Sequence, residues 1–361
     1  MSNISASSRF AFLAVTAMAL LSGTAATAQT FDVTYAAPTI DRWWYPFNSQ
    51  PGSEASAPCF GAILQTGFDD RDGQFVLAFD TGSQVIPGND PSSYLIDRLR
   101  LTVYVSVNFQ FNYDPTWDSV TTLYADGDPE QTPDLDEGKP VELFAAGYRN
   151  GVTALTLQEN TPHSNLPPFP PMSGVRSVYP TILDAQGQPT IDISQQVRER
   201  FETTPMAIGM DIRETGLAPG ANVPEGTPFT FDIDMNQPGA REYLQNALAQ
   251  GRIVLVVTSL APATGGPSGG TGSPRYPAFY TKENALSQLL GYRATLELGF
   301  GAGCPACAAD YDTNGGVDGG DLAAFVADFE TGAACADVDN NGGIDGGDLG
   351  AFFIAFEAGG C

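Results

Sequence analysis

The chain has one histidine, His163, and only 16 lysines and arginines against 42 aspartates and glutamates. Each shortage closes a class of function. A formal charge of −26 excludes nucleic acid as a partner, because gripping its backbone needs Lys and Arg to displace counterions. A single histidine makes any His-based catalytic triad rest on His163. That residue sits in the proline-rich PHSNLPPFPP, where a loop histidine without a catalytic part is the simpler reading. No phosphate loop and no dinucleotide fingerprint occurs, so nucleotide-phosphate chemistry has no signature here.

Long apolar runs are also scarce. Phe10 to Leu21 (FAFLAVTAMALL) follows Arg9 and precedes Ala26-Thr27-Ala28. It is short for a membrane span and has the layout of a secretory signal. We therefore expect residues 1–28 to be a signal peptide with Gln29 as the new N-terminus, and the mature chain to be exported and not transmembrane. Cysteines number five, and four of them (Cys304, Cys307, Cys335 and Cys361) fall near the C-terminus. In an oxidising compartment that clustering reads as a stapled small module. Cys304-Pro-Ala-Cys307 has no second CxxC and no nearby histidine, which disfavours zinc or redox chemistry.

What the chain does contain is glycine and proline, 40 and 27 residues, together with frequent Val, Ile, Thr and Phe. This composition favours short strands with many turns. It also contains a repeated phrase. Asp310 to Leu322 reads DYDTNGGVDGGDL, and Asp337 to Leu349 reads DVDNNGGIDGGDL. Numbered from the first aspartate, positions 1, 3, 5, 9 and 12 are Asp310, Asp312, Asn314, Asp318 and Asp321, then Asp337, Asp339, Asn341, Asp345 and Asp348. Position 6 is Gly315 or Gly342, and position 7, which offers only a backbone carbonyl, is Gly316 or Gly343. Calcium takes six to eight hard oxygens, and an EF-hand loop supplies them at this spacing with a glycine at the sharp turn. Position 8 is apolar in both copies (Val317, Ile344) and is able to make a short β-bridge to its twin. A helix should follow each loop, with stripes Leu322, Phe325, Val326, Phe329 and Leu349, Phe352, Phe353, Phe356. From Cys304 to Cys361 there are eleven acidic residues and no basic one, so two calcium ions are expected and folding should depend on them. Cys307 and Cys361 frame the two copies and are the expected disulfide, with Cys304 and Cys335 the next pair. The rival is Cys361 as a free thiol or covalent attachment point.

Residues 304–361 resemble the dockerin family: two calcium loops, each followed by a helix, with Asp at position 12. They are especially similar to the variant that opens near C-x-x-D (Cys307-Ala-Ala-Asp310) and ends in Gly-Cys (Gly360-Cys361). The resemblance implies calcium binding and attachment to a cohesin-like or surface anchoring partner in polysaccharide-degrading assemblies. In cohesin-binding dockerins positions 10 and 11 commonly carry recognition side chains. Here they are Gly319-Gly320 and Gly346-Gly347, so calcium binding carries over and ordinary cohesin recognition does not.

Residues 29–300 read as mostly β, most simply an antiparallel β-sandwich of jelly-roll type, with 301–303 a linker. Alternation from Leu99 to Tyr113 predicts a long strand, bent in two. Shorter strands are expected around Phe75–Phe79, Phe229–Met235 and Ala294–Phe300. Ile253 to Val257 is apolar throughout, as in a central strand. One helix is expected around Ile193, Val197 and Phe201, another from an Asn236 N-cap to Gln250. Thr161–Gly174 and Ala261–Arg275 read as surface loops. DGQFVLAFDTG (Asp72 to Gly82), IDRLRLTVYV (Ile96 to Val105), IDISQQVRERF (Ile191 to Phe201) and FYTKEN (Phe279 to Asn284) resemble DNRLRE-type jelly-roll modules, which implies a glycan-binding or wall-associated role.

Candidate sites in this region are few. RWWYPF (Arg42 to Phe47) offers Trp43, Trp44 and Tyr45 for stacking on sugar rings, with core packing the favoured alternative. Asp69, Asp70 and Asp72 (FDDRDG) read as a solvated turn rather than a metal or substrate site. Asp126 to Glu137 has carboxylates at calcium-loop positions, but Pro129 and Gln131 stand where the turn needs other residues. Three functions fit: a non-catalytic exported β-sandwich, attached through the calcium module and engaged in polysaccharide binding or breakdown; a polysaccharide hydrolase or lyase, for which a glycosidase carboxylate pair is compatible with the sequence; or a structural surface protein.

Overall fold

The computed structural model describes residues 32–167, 171–263, 275–300, 307–312, 314–339 and 343–359. The expected signal peptide and the linker at 301–303 lie outside these. The described chain is mainly β, and its sheets are antiparallel. One sheet has the order β1-β13-β5-β10, from Val33–Tyr35, Thr295–Phe300, Ile96–Tyr104 and Pro228–Asp232. The larger sheet follows the order β2-β4-β11-β6-β7-β8, from Ile40–Trp44, Gln74–Asp80, Arg252–Ser259, Val141–Tyr148, Val178–Leu183 and Pro189–Asp192, and β9 (Ala207–Ile208) also pairs with β6. A short ribbon joins β3 (Ser56–Pro58) to β12 (Ala278–Tyr280).

The two larger sheets share one buried cluster. Phe75, Leu77, Leu143, Ile253, Leu255 and Val257 contribute from one, and Leu99, Leu101, Val103, Phe229, Phe231, Leu296 and Leu298 from the other. A second cluster covers the opposite face of the larger sheet with Ile40, Trp44, Val76, Ala78, Val254 and Val256, closed by Leu157. Strand β11 is therefore buried on both faces and paired on both edges, which is why its sequence does not alternate.

Three expected elements differ. Strand β5 stops at Tyr104 instead of reaching Tyr113. Val105 leaves to bridge Phe279, and Phe109 takes φ of 54° and turns out to solvent. The helix expected through Phe201 is a single turn, α1 (Gln196–Glu199), ended by left-handed Arg200, whose guanidinium grips Asp128 and Glu130. Helix α2 (Ala240–Gln250) begins after Gly239, not Asn236, because Gly239 takes the left-handed conformation at φ of 80° and a right-handed helix cannot run through it. A short helix that the sequence reading did not anticipate, α3 (Ala285–Leu290), is capped by the Asn284 side chain, which accepts from the Leu286 N–H at 2.8 Å. Thr161, His163 and Ser164 are buried rather than on the surface; Arg42 donates to the Thr161 carbonyl and the Ser177 N–H to the His163 carbonyl.

The solvated turn expected at Asp69, Asp70 and Asp72 is instead a buried ion-pair knot. All three carboxylates are inside. Asp69 lies 2.6 Å from Arg176 and also accepts from the Gly174 N–H. Asp70 lies 2.9 Å from Arg198 and caps the N–H groups of Leu64 and Arg198. Between them Arg71 reaches Glu142 at 2.5 Å. Charges enter a protein interior when paired in this way, and these partners come from distant parts of the chain. Asp72 has the weakest partner, Arg176 at 3.5 Å, and one oxygen without a hydrogen bond. Burial pushes it up to about 7.

Candidate metal centre

Each repeat folds as a loop followed by a helix of thirteen residues, α4 (Gly319–Thr331) and α5 (Gly346–Ala358). In the first loop, Gly315 takes φ of 89°, the left-handed turn for which position 6 needs glycine. Its N–H points back at Asp310, with both carboxylate oxygens 3.1–3.2 Å away. Asp321 accepts from the N–H groups of Asp318 at 2.7 Å and Asp312 at 3.0 Å. Asp348 repeats this with Asp345 at 2.8 Å and Asp339 at 3.1 Å. Position 12 thus ties three parts of its loop together while it sits in the first turn of the helix, where negative charge is favoured. Asp321 and Asp348 are both fully buried, and these backbone donors hold both carboxyls below the usual range.

Of the expected ligands, Asp310, Asp312 and Asp321 bring one carboxylate oxygen each to within 4.8 Å of one another, and so do Asp337, Asp339 and Asp348. Position 9 is used differently. Asp318 and Asp345 are helix N-caps, each accepting at 2.7 Å from the N–H two residues on (Gly320, Gly347) and completing a capping box with position 12. The Asn314 side chain hydrogen-bonds within the loop, to Asp312 and the Gly316 N–H. Asn341 and Gly342 lie outside the described residues. The glycines at position 11 have a steric cause. A Cβ on Gly320 would stand 2.8 Å from Asp312 Oδ2, and one on Gly347 would stand 2.7 Å from Asp339 Oδ2. Gly319 and Gly346 at position 10 face open space.

The helices are joined at equivalent positions. Phe325 and Phe352 stack at 4.0 Å with their rings parallel, and Tyr311 packs edge-on against both. Leu322, Phe329, Leu349 and Phe356 pack around them, but Val326 and Phe353, expected in the same stripes, are exposed. No β-bridge links Val317 to Ile344 among the described residues. Cys307 and Cys335 are both disulfide-bonded, and Cys59 is free and buried. Cys304 and Cys361 lie outside the described residues.

Elsewhere, Trp44 is fully buried beneath Arg42, and Tyr45 is buried too. Trp43 stacks on Tyr45 at 4.6 Å. Trp44 and Tyr45 are thus packed inside, while Trp43 is half-buried and Phe47 exposed. His163 is buried with neither ring nitrogen hydrogen-bonded, and burial holds it well below the usual histidine range. The Asp126–Glu137 segment does not converge as a loop of its own: Asp128 goes to Arg200 and Asp134 to Lys139. Asp41, Glu159 and Glu283 converge as well, but all three surround the Lys282 ammonium. The sequence reading passed over Trp117. It is 44% exposed and lines a cavity of about 510 Å³ with Phe144, Glu202, Met206 and Gln237. The available signal was its setting between Asp114 and Asp118 in a polar turn (DPTWD). No helix among the described residues is long and apolar enough to cross a membrane. No protein-family model matches the chain, and no curated protein matches it significantly.

Proposed function

We propose that this chain is an exported, non-catalytic β-sandwich of jelly-roll type whose C-terminal repeats form a dockerin-like module. In this reading the module binds two calcium ions and attaches the sandwich to a partner or to the cell surface. The observation that carries the reading is the duplicated triad, Asp310/Asp312/Asp321 and Asp337/Asp339/Asp348, held by matching backbone donors. The donor set is all hard oxygen, in a stretch with no lysine or arginine, which suits calcium and not a soft metal. Bound calcium neutralises converging carboxylates that otherwise repel. The protein's part is to hold those oxygens in place through the loop N–H groups and the helix starts.

Two antiparallel sheets around one core support the sandwich. A sugar-binding role rests on Trp117 in the wall of its cavity, an amphipathic ring of the kind that stacks on saccharides. Calorimetry on the full mature chain tests the metal reading: chelated protein should take up calcium at both repeats, and Asp312→Ala should weaken the first while sparing much of the second. No uptake in either repeat overturns it. Attachment is tested in the native host by comparing the full chain with one ending at Phe300. Equal release of both into the medium, with and without chelator, rejects the anchoring role.

A further inference from the structure

A third set of carboxylates converges far from the repeats. One oxygen each of Asp114, Asp118 and Asp136 lies within 4.8 Å of the other two. Clusters of exposed acids are common, and the distance alone means little. Here Asp114 is only 3% exposed, and its Oδ2 has no hydrogen-bond partner in the protein. A buried carboxylate oxygen without a donor is costly. Its other oxygen accepts from the Thr116 N–H at 2.9 Å and lies 2.7 Å from the Thr116 hydroxyl. That hydroxyl is also 2.8 Å from Asp136 Oδ2. A hydroxyl has one proton, so it satisfies one of these carboxylates and not both.

The available cation is already engaged. The Lys139 ammonium sits 2.7 Å from Asp118 and also contacts Asp134. The Lys139 ammonium thus serves Asp118 and Asp134, while Asp114 and Asp136 face each other across a single hydroxyl. Both Asp114 and Asp118 are pushed up by burial, with neighbouring carboxylates adding to it. The backbone is built to hold this arrangement. Tyr113 exchanges hydrogen bonds with Gly220 and Ala221, and Gly138 fits where a Cβ would stand 3.0 Å from both the Asn112 carbonyl and Asp114 Cβ.

We propose that Asp114, Asp118 and Asp136 form a further calcium site, independent of the C-terminal repeats, that fixes the turn carrying Trp117 beside its cavity. The donors are all oxygen and come from a turn and a separate loop, which suits the adaptable coordination of calcium better than the strict octahedron of magnesium. Calcium would supply the missing partner for Asp114 Oδ2 and offset the charge of whichever carboxylate the Thr116 proton does not serve.

The test uses the full mature chain and terbium as a luminescent substitute for calcium. Trp43, Trp44 and Trp117 are the only tryptophans, and none lies in the repeats. Excitation at the red edge of tryptophan absorption, where tyrosine is silent, should give sensitised terbium emission that calcium competes away. Trp117→Phe should remove the emission while the calcium stoichiometry stays at one ion more than the repeats take. Asp114→Asn should lose that ion, by more than the roughly 10–100-fold in affinity that an outer-shell partner costs. Asp310→Asn with Asp337→Asn should leave the emission intact, so failure of the repeats to bind calcium would not touch this site. No tryptophan-sensitised emission in the wild-type chain, or emission that survives Trp117→Phe, overturns the proposal.

Discussion

In the β-rich region Asp69 lies against Arg176, Asp70 against Arg198 and Asp232 against Arg100. From Cys304 to Cys361 there are eleven carboxylates and no lysine or arginine. The same side chain thus serves two ends. In the first region its charge is answered by a guanidinium from another strand or loop, and the pair fastens the fold. In the second, Asp321 and Asp348 are held by backbone N–H groups of their own loops, which fix their position. An aspartate is informative about metal when backbone donors order it beside other carboxylates.

The sharpest way to break this contrast is to remove a guanidinium. Arg176→Met leaves Asp69 buried without its partner, and should cost about 3–5 kcal/mol of stability by denaturant unfolding. Asp69→Leu added to it should recover part of that loss; no recovery would mean that packing, not charge, holds the knot. Next in size is the metal. With calcium at a hundredfold excess over Kd, each loop should gain about 2.7 kcal/mol, seen as a chelator-sensitive helical transition. Asp321→Asn and Asp348→Asn should weaken their own loops to a similar degree, because their backbone partners match.

A smaller effect comes from His163. Its nitrogens are buried without partners, and its folded pKa lies well below the usual 6.5. The unfolded chain binds a proton as pH falls through 6.5 and the folded chain does not, so stability falls on acidification until the folded pKa is reached. Relative to His163→Gln, the wild type should lose up to about 1.4 kcal/mol per pH unit in that window. Parallel unfolding curves at each pH would refute the buried neutral state. The smallest effect separates two adjacent glycines. Gly319→Ala faces open space and should stabilise helix α4 by about 0.4–1 kcal/mol. Gly320→Ala would push on Asp312 and should lower calcium affinity at the first loop instead, which calorimetry distinguishes.

The outcome at RWWYPF shows how far composition reaches. Three consecutive aromatics mark either a sugar platform or a core strand, and only pairing with β4 and the cover of Arg42 place Trp44 in the core. The alternation from Leu99 marked β5 correctly as far as Tyr104. Beyond it Phe111 and Tyr113 are buried as the pattern asks, but they pair irregularly with the segment at 220–223. A period of two reports which face is buried, not that the backbone stays in one sheet. Helix α2 was legible from its end at Gly251, because a C-cap glycine is a local requirement. Its start was not, because the left-handed turn at Gly239 displaces it past Asn236.

By itself the sequence determined the repeated loops. Turn, ligand spacing and helix start all lie within thirteen contiguous residues, and local backbone geometry turns that spacing into converging oxygens. It also determined that β11 is central, since an unbroken apolar run is stable only where both faces are covered. Only the tertiary structure decided which carboxylates are structural. Asp69 and Arg176, or Asp114 and Asp136, are too far apart in sequence for local geometry to pair them. Packing of the two sheets brings such residues together or keeps them apart, and so decides whether the neighbour of a buried aspartate is a guanidinium or another carboxylate.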